Sequence, residues 1–67
     1  MEIIDKLVSL GYSFEKARKE KDFKFAIEIE NTIERLAVEY PDVWVKQFIV
    51  VGQNEYRKDH QLELIHV

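Results

Sequence analysis

The chain has 67 residues, of which 46% are hydrophobic and 34% are charged, with a net charge of −3 and no cysteine. This composition excludes a disordered chain, a disulfide-stabilised fold and a thiolate metal site, and the acidic balance argues against nucleic acid as the main partner. A single domain of this size buries only about 60% of the surface that its unfolded form exposes. We therefore expect the chain to gain stability by forming a homodimer.

A short helix is predicted over residues 2–10, where apolar residues recur at helical spacing. Gly11 follows this run, at a position where a glycine in the left-handed conformation commonly closes a helix. Ser13 is a good N-cap for a following helix. The sequence therefore predicts a turn at residues 11–13 and a second helix that begins at residue 14.

The second helix is predicted over residues 14–40. Its apolar stripe is interrupted by the charged residues 18–22 and then resumes as far as Tyr40. Two interpretations stay open: one continuous helix of about 40 Å, or two helices separated by a break near Lys21–Asp22, with Asp22 as N-cap. The continuous helix is preferred, because this stretch contains no glycine or proline and because Lys and Glu are good helix formers.

The predicted second helix also carries features that suggest self-association. Phe23 and Ile27 lie off the main stripe, and a second apolar strip usually has a second packing partner. Residues 13–25 carry five bases and three acids, whereas residues 26–42 carry five acids and one base. Two antiparallel copies would bring oppositely charged ends together, although two solvated helix faces explain the pattern equally well.

After Pro41, which ends the helix, two strands are predicted over residues 43–51 and 60–67. The first is rich in β-branched and aromatic residues, and Gly52 is expected to start the turn between them. The predicted fold class is therefore α+β: a short N-terminal helix, a long second helix and a C-terminal antiparallel β-hairpin. Two strands alone are unstable, so we expect the sheet to continue across a homodimer interface.

The sequence offers little for catalysis. Gly11 and Gly52 stand alone, so a phosphate-binding glycine loop is not expected. His60 and His66 would lie about 20 Å apart along a strand, too far to share one metal ion within a chain, and ordinary surface or sheet histidines explain them better than a site across a symmetric dimer. We therefore predict a protein that is not an enzyme, and we assign it no catalytic residue, no cofactor and no metal ligand.

The location of the protein is predicted from its N-terminus and its apolar runs. The first residues lack the features of a secretion signal, and the longest apolar run is too short to span a membrane. We therefore expect a cytoplasmic protein that does not bind a membrane.

The stretch Leu7-x-x-Leu-Gly-Tyr, followed by Ala17, resembles the first-loop signature of ubiquitin-associated domains. The resemblance covers roughly residues 3–17, and it implies binding of ubiquitin through this loop and the last helix. The pattern then departs from these domains, because Glu20 and Lys21 stand where their second helix is apolar and because a β-hairpin is predicted to follow. We assign no family.

The function most consistent with these features is that of a small non-catalytic protein that binds another protein, as a regulator or an inhibitor, in the form of a homodimer. Virus and mobile-element genomes encode many small proteins of this kind, so such an origin is compatible with the sequence. The expected contact residues lie in and after the predicted turn: Tyr12, Phe14, Arg18, Lys21 and Phe23. These aromatic residues could equally belong to the core or to the dimer interface.

Two alternative functions stay open. The stretch 16–24 carries five bases, interleaved with Phe14, Phe23 and Phe25, which could form the nucleic-acid contact of a transcriptional regulator. The acids of the same region, Glu15, Glu20 and Asp22, would then face phosphate groups, which argues against this alternative. The other alternative is a structural subunit of a larger assembly.

Overall fold

The structure, a computed structural model, describes residues 2–66 and contains three α-helices. Helix α1 spans Glu2–Lys19, α2 spans Phe23–Glu39 and α3 spans Val45–Asp59. Short links join them, and residues 62–66 form an extended segment after α3; no strand forms within residues 2–66. The predicted α+β fold is therefore wrong, and the chain is a helical bundle.

Helix α1 is 18 residues long and continues through the predicted turn at residues 11–13. Gly11 lies inside the helix, where a Cβ atom would come within 3.0 Å of Ile49 Cα and would overlap the Ile49 carbonyl. The predicted helix end at residue 10 is wrong, because this glycine permits close contact with α3 and does not cap α1. The loop on which the resemblance to ubiquitin-associated domains rests is therefore helical here.

Helix α1 ends at residues 20–22 instead of continuing into α2. Lys21 adopts a left-handed conformation, with φ of 61°. The Lys21 N–H donates to Arg18 O at 3.1 Å and the Asp22 N–H donates to Ala17 O at 2.8 Å, which is the hydrogen-bond pattern of a Schellman cap. The Asp22 side chain then caps α2 by accepting a hydrogen bond from the Phe25 N–H at 3.3 Å.

The predicted continuous helix over residues 14–40 is therefore wrong, and the alternative with a break at Lys21–Asp22 describes the chain. The good helix propensity of Lys and Glu does not prevent the break, because the turn lets the apolar face of α2 fold back onto α1. That face buries Ala26, Ile29 and Leu36. Tertiary packing here outweighs local propensity.

Helix α3 takes the place of the first predicted strand, residues 43–51, and of the predicted turn at Gly52. Val45, Ile49 and Tyr56 are buried at helical spacing on the side that faces α1. A high content of β-branched residues reflects how well they fit a half-buried surface, and the packing surface offered by α1 overrides it. The second predicted strand, residues 60–67, is also wrong as far as residue 66; Val67 lies outside the described residues.

The apolar core lies between α1 and α3, with α2 contributing at one end. Its buried members are Ile3, Leu7, Leu36, Val45 and Ile49. Helices α1 and α3 run in roughly the same direction, because Val8 faces Gly52 and Tyr12 faces Tyr56. Helix α2 returns along α1 and touches α3 only slightly, so much of its surface is exposed. None of the helices within residues 2–66 is both long and apolar enough to cross a membrane.

Candidate protein-interaction surface

The predicted contact residues separate into two places on the bundle. Phe14, Arg18 and Phe23 meet at one groove, between α1 and α2. Lys21 is exposed in the link that joins these two helices. Tyr12 points to another side of α1, where it contacts α3. The fold therefore brings three of the five residues together and leaves Tyr12 apart.

The groove between α1 and α2 is apolar and open to solvent. Its lining consists of Phe14, Arg18, Phe23, Ala26, Ile27 and Glu30. Phe23 and Ile27 are each 59% exposed, and Phe14 is half-buried between the helices. These six residues are called the α1–α2 groove below. Two large apolar side chains on one face of α2 are thus available for contact with another molecule.

Arg18 supplies the positive charge of this groove. Its guanidinium carbon lies 5.8 Å from the centre of the Phe14 ring, within the range of a cation–π contact. The same guanidinium pairs with Glu15 at 3.4 Å, yet the Arg18 side chain stays 52% exposed. It can therefore also receive a carboxylate from outside, in addition to its contacts within the chain.

The surroundings of the groove carry charge of opposite signs at the two ends of α2. Exposed lysines lie near its beginning and in the last turn of α1: Lys16, Lys19, Lys21 and Lys24. Four exposed acids lie further along α2: Glu28, Glu30, Glu34 and Glu39. Phe23 and Ile27 therefore lie near the start of α2, where the exposed lysines outnumber the neighbouring acids Glu20 and Asp22.

Tyr12 belongs to an aromatic stack on α3. Its ring meets the Tyr56 ring edge to face, with centroids 5.4 Å apart, and the Tyr56 ring stacks on His60 at 4.0 Å. The Tyr12 hydroxyl donates to Asp59 Oδ2 at 3.4 Å. Burial and the adjacent Asp59 carboxylate raise the pKa of the Tyr12 hydroxyl above its ordinary value of 10.0. Tyr12 thus contributes to the packing of α1 on α3.

A largely buried polar cluster, which was not predicted from the sequence, joins Glu15 of α1 to Gln53 and Arg57 of α3. Glu15 is fully buried, although the prediction of a second helix that begins at residue 14 would place it in the exposed first turn of that helix. Arg57 donates to Glu15 Oε2, and the Gln53 amide donates to Glu15 Oε1 at 3.2 Å. Glu15 follows Leu7 and Gly11 at intervals of four residues, so its place on the buried face of α1 could have been read from that spacing.

Two further residues of α3 hold the extended segment after the helix. The Asn54 side chain makes two hydrogen bonds with the main chain of Ile65, and Arg57 Nε donates to the carbonyl oxygen of Glu63. Within residues 2–66, every buried side-chain polar atom has a hydrogen-bond partner. Nothing in the local sequence pattern indicated these contacts, because residues 60–67 were expected to pair with a strand.

A second exposed apolar patch lies where α2 meets α3. Trp44 is 76% exposed there, beside Ala37, Val43 and Val50. Groups of three or more His, Asp or Glu side chains able to hold a metal ion are not found in the described part of the chain.

Comparison with known proteins gives no relative for this chain: no family model, no curated protein and no solved structure is significantly similar to it.

Proposed function

We propose that this chain is a small non-catalytic protein that binds another protein through the α1–α2 groove, as a regulator or an inhibitor. The observation that supports the proposal is the exposure of Phe23 and Ile27, at 59% each, over the half-buried ring of Phe14. Large apolar side chains grouped on one face and rimmed by charge are typical of a protein contact surface. A homodimeric state and a cytoplasmic location belong to the same proposal.

The partner that fits this groove presents an apolar side chain flanked by carboxylates. The apolar side chain would pack on Phe14, Phe23 and Ile27, where removal of water contributes most of the affinity. The carboxylates would face Arg18 and the exposed lysines around the start of α2, which favours rapid association at low salt. An acidic amphipathic helix has both properties.

The lining of the groove supports binding more than catalysis. Four of its six residues are apolar, and the two charged ones are Arg18 and Glu30. An acid–base reaction needs convergent titratable groups whose pKa values are shifted in a site that excludes water. The open, mostly apolar α1–α2 groove has the character of a contact surface.

The proposal is tested with the purified full chain as an immobilised bait for cell extract. The Phe23→Asp variant places a carboxylate in the groove, and we expect it to lose a protein that the wild type captures. Val38→Asp is the matched control, because Val38 is 80% exposed on the same helix but does not line the groove. Circular dichroism verifies that both variants are as helical as the wild type.

A protein captured by the wild type and by Val38→Asp, and lost with Phe23→Asp, supports the proposal. Equal capture by all three baits assigns the contact to another surface and contradicts the role of the groove. Capture that nuclease treatment removes, with an affinity that falls steeply with salt, favours the nucleic-acid alternative instead.

A further inference from the structure

The extended segment 62–66 is held to α3 through its main chain. Asn54 Nδ2 donates to Ile65 O at 2.9 Å, and the Ile65 N–H donates to Asn54 Oδ1 at 2.7 Å. One side-chain amide thus pairs with both polar groups of a residue, as a neighbouring β-strand would. A third hydrogen bond runs from Arg57 Nε to Glu63 O.

The buried polar cluster of Glu15, Gln53 and Arg57 supports the α3 side of the contact with the extended segment. The Arg57 guanidinium is anchored at its other end by Glu15, a carboxylate that is itself fully buried and held by Gln53. Burying an ion pair usually stabilises a fold less than apolar packing of the same volume. Here the pair also holds the Arg57 guanidinium, whose Nε donates to Glu63 O of the extended segment.

The side chains of the segment contribute less than its main chain. Leu62 and Leu64 remain 36% and 45% exposed, and only Ile65 is half-buried. Asn54 and Arg57 therefore recognise an extended main chain with one apolar residue beside it. The same segment from a second copy would present an identical main chain and the same Ile65, so it would fit this site equally well.

The link between α3 and the segment is strained. Gln61 adopts φ of 56°, a left-handed conformation that is unfavourable for residues other than glycine. The Gln61 N–H donates to Lys58 O at 3.2 Å and the Leu62 N–H to Arg57 O at 2.7 Å, so the segment can fold back only while this residue stays left-handed. Release of the segment would remove the strain, and strained hinges favour exchange between copies.

We propose that two copies of the chain exchange residues 62–66, each copy placing its segment on Asn54 and Arg57 of the other. Exchange of an identical element is a common route to a symmetric dimer, because it reuses contacts that the single chain already makes. The inference rests on the homodimer that forms part of the proposed function. It assigns self-association to α3 and leaves the α1–α2 groove free for another protein.

The intramolecular contact competes with exchange. A segment tethered by a short link has an effective concentration in the millimolar range, so exchange of the wild type becomes appreciable only when the protein concentration approaches about 1 mM. The conformation of residue 61 shifts this balance, because it is left-handed only in the closed form. Substitutions at that position therefore test the proposal without touching the contact residues.

The experiment is sedimentation equilibrium of the full chain from about 10 µM to about 1 mM, the range that the effective concentration sets. Gln61→Pro fixes φ near −65° and excludes the closed form, so we expect its dimer to form at least about tenfold more tightly than that of the wild type. Gln61→Gly removes the strain of the closed form and is expected to stay monomeric throughout this concentration range. Adding Asn54→Ala to Gln61→Pro should return the chain to a monomer.

A direct readout comes from NMR of an equimolar mixture of isotope-labelled and unlabelled Gln61→Pro chains. Contacts between the Asn54 side-chain amide of one copy and Ile65 of the other confirm exchange. Helix content by circular dichroism verifies that each variant remains folded.

The outcomes separate the inference from the function proposed above. A dimer whose dissociation constant is the same in all variants overturns the exchange and leaves the homodimer standing on another surface. A monomer in every variant at about 1 mM, the effective concentration of the tethered segment, overturns both. Loss of captured protein with Phe23→Asp still tests the α1–α2 groove by itself, because Phe23 takes no part in the contacts of the segment.

Discussion

Gly11 and Gly52 bring the backbones of α1 and α3 into direct contact, and neither position has room for a methyl group. A Cβ atom on Gly52 would lie 2.8 Å from Tyr12 N and 2.8 Å from the carbonyl carbon of Val8. One on Gly11 would lie 3.0 Å from Ile49 Cα. All these atoms belong to the main chain of the facing helix, which cannot move aside as the end of a flexible side chain can.

The Gly52→Ala substitution is therefore expected to destabilise the fold by about 2–3 kcal/mol, as overpacking of a tight core does. The sign of this change in stability is informative, because alanine in place of glycine inside a helix ordinarily stabilises a protein by about 0.5–1 kcal/mol. The measurement is urea unfolding followed by circular dichroism. Ser9→Ala, at an exposed position of α1, serves as the control and should leave the stability nearly unchanged. A Gly52→Ala chain at least as stable as the wild type would contradict the close crossing.

Removal of Arg57 is expected to destabilise the chain by about 2–3 kcal/mol. The Glu15 carboxylate would stay buried without its main partner, and this costs more than the pair itself contributes. The expected loss is below the usual range for a fully buried pair, because the Arg57 side chain is 20% exposed.

The control for that prediction is the double variant Arg57→Ala with Glu15→Gln. A neutral amide can stay buried with Gln53 as a hydrogen-bond partner, so the double variant should recover part of the stability that Arg57→Ala loses. A thermodynamic cycle of the four proteins gives the coupling between the two residues. Additive effects would show that the pair does not act as a unit.

Lys21→Gly is expected to stabilise the chain by about 1 kcal/mol, because Lys21 holds a left-handed φ of 61° that glycine adopts without steric cost. The matched control is Lys16→Gly, the same substitution at an exposed interior position of α1. That control should destabilise by about 1 kcal/mol, the usual cost of a glycine within a helix. Thermal unfolding of both variants measures the difference, and the same sign in both would refute the Schellman cap at the end of α1.

The stability of the fold is expected to fall as the pH rises above about 10, the ordinary pKa of tyrosine, through ionisation of Tyr12. Burial and Asp59 raise the pKa of Tyr12 in the folded chain. Between the unfolded and folded pKa values the folded form therefore binds more protons, and the free energy of unfolding decreases with pH. Below this window the contribution of Tyr12 is fully present.

Tyr12→Phe removes the titrating group and keeps the ring against Tyr56. We expect this variant to lose less stability than the wild type between neutral pH and pH values above about 10, where phenols ionise. Urea midpoints measured across this range for both proteins provide the test. Parallel pH profiles of the two proteins would mean that the Tyr12 hydroxyl does not contribute to the loss of stability at high pH.

Features that depend only on residues close together in the chain could be predicted from the sequence. The apolar face of α2 was predicted from its helical spacing, and Ala26, Ile29 and Leu36 are buried as that spacing indicates. The capping potential of Asp22 was also visible as an alternative. Phe14, Arg18 and Phe23 were grouped because they follow the turn predicted at residues 11–13, whereas the fold brings them together in the groove between α1 and α2; their role in binding stays a prediction.

The role of a residue could not be predicted where its contact partner lies far away in the sequence. Gly11 looks like a helix end until α3 is placed beside it, and Glu15 looks like a surface acid until Gln53, 38 residues away, reaches it. The β-branched content of residues 43–51 favoured a strand. The helical spacing of Val45, Ile49 and Tyr56 was available in the sequence, but it extends past Gly52, which was interpreted as a turn and so hid the longer period.

The crossing of α1 and α3 also limits which sequences can adopt this fold. In a library of random substitutions selected only for folded chains, positions 11 and 52 should accept almost nothing besides glycine, since any side chain meets the main chain opposite. Phe23 and Ile27, which are largely exposed, should vary freely in the same selection. If positions 23 and 27 become restricted only when the library is selected for partner binding, they belong to the recognition surface. Positions 11 and 52, restricted in both selections, are the ones that the fold itself requires.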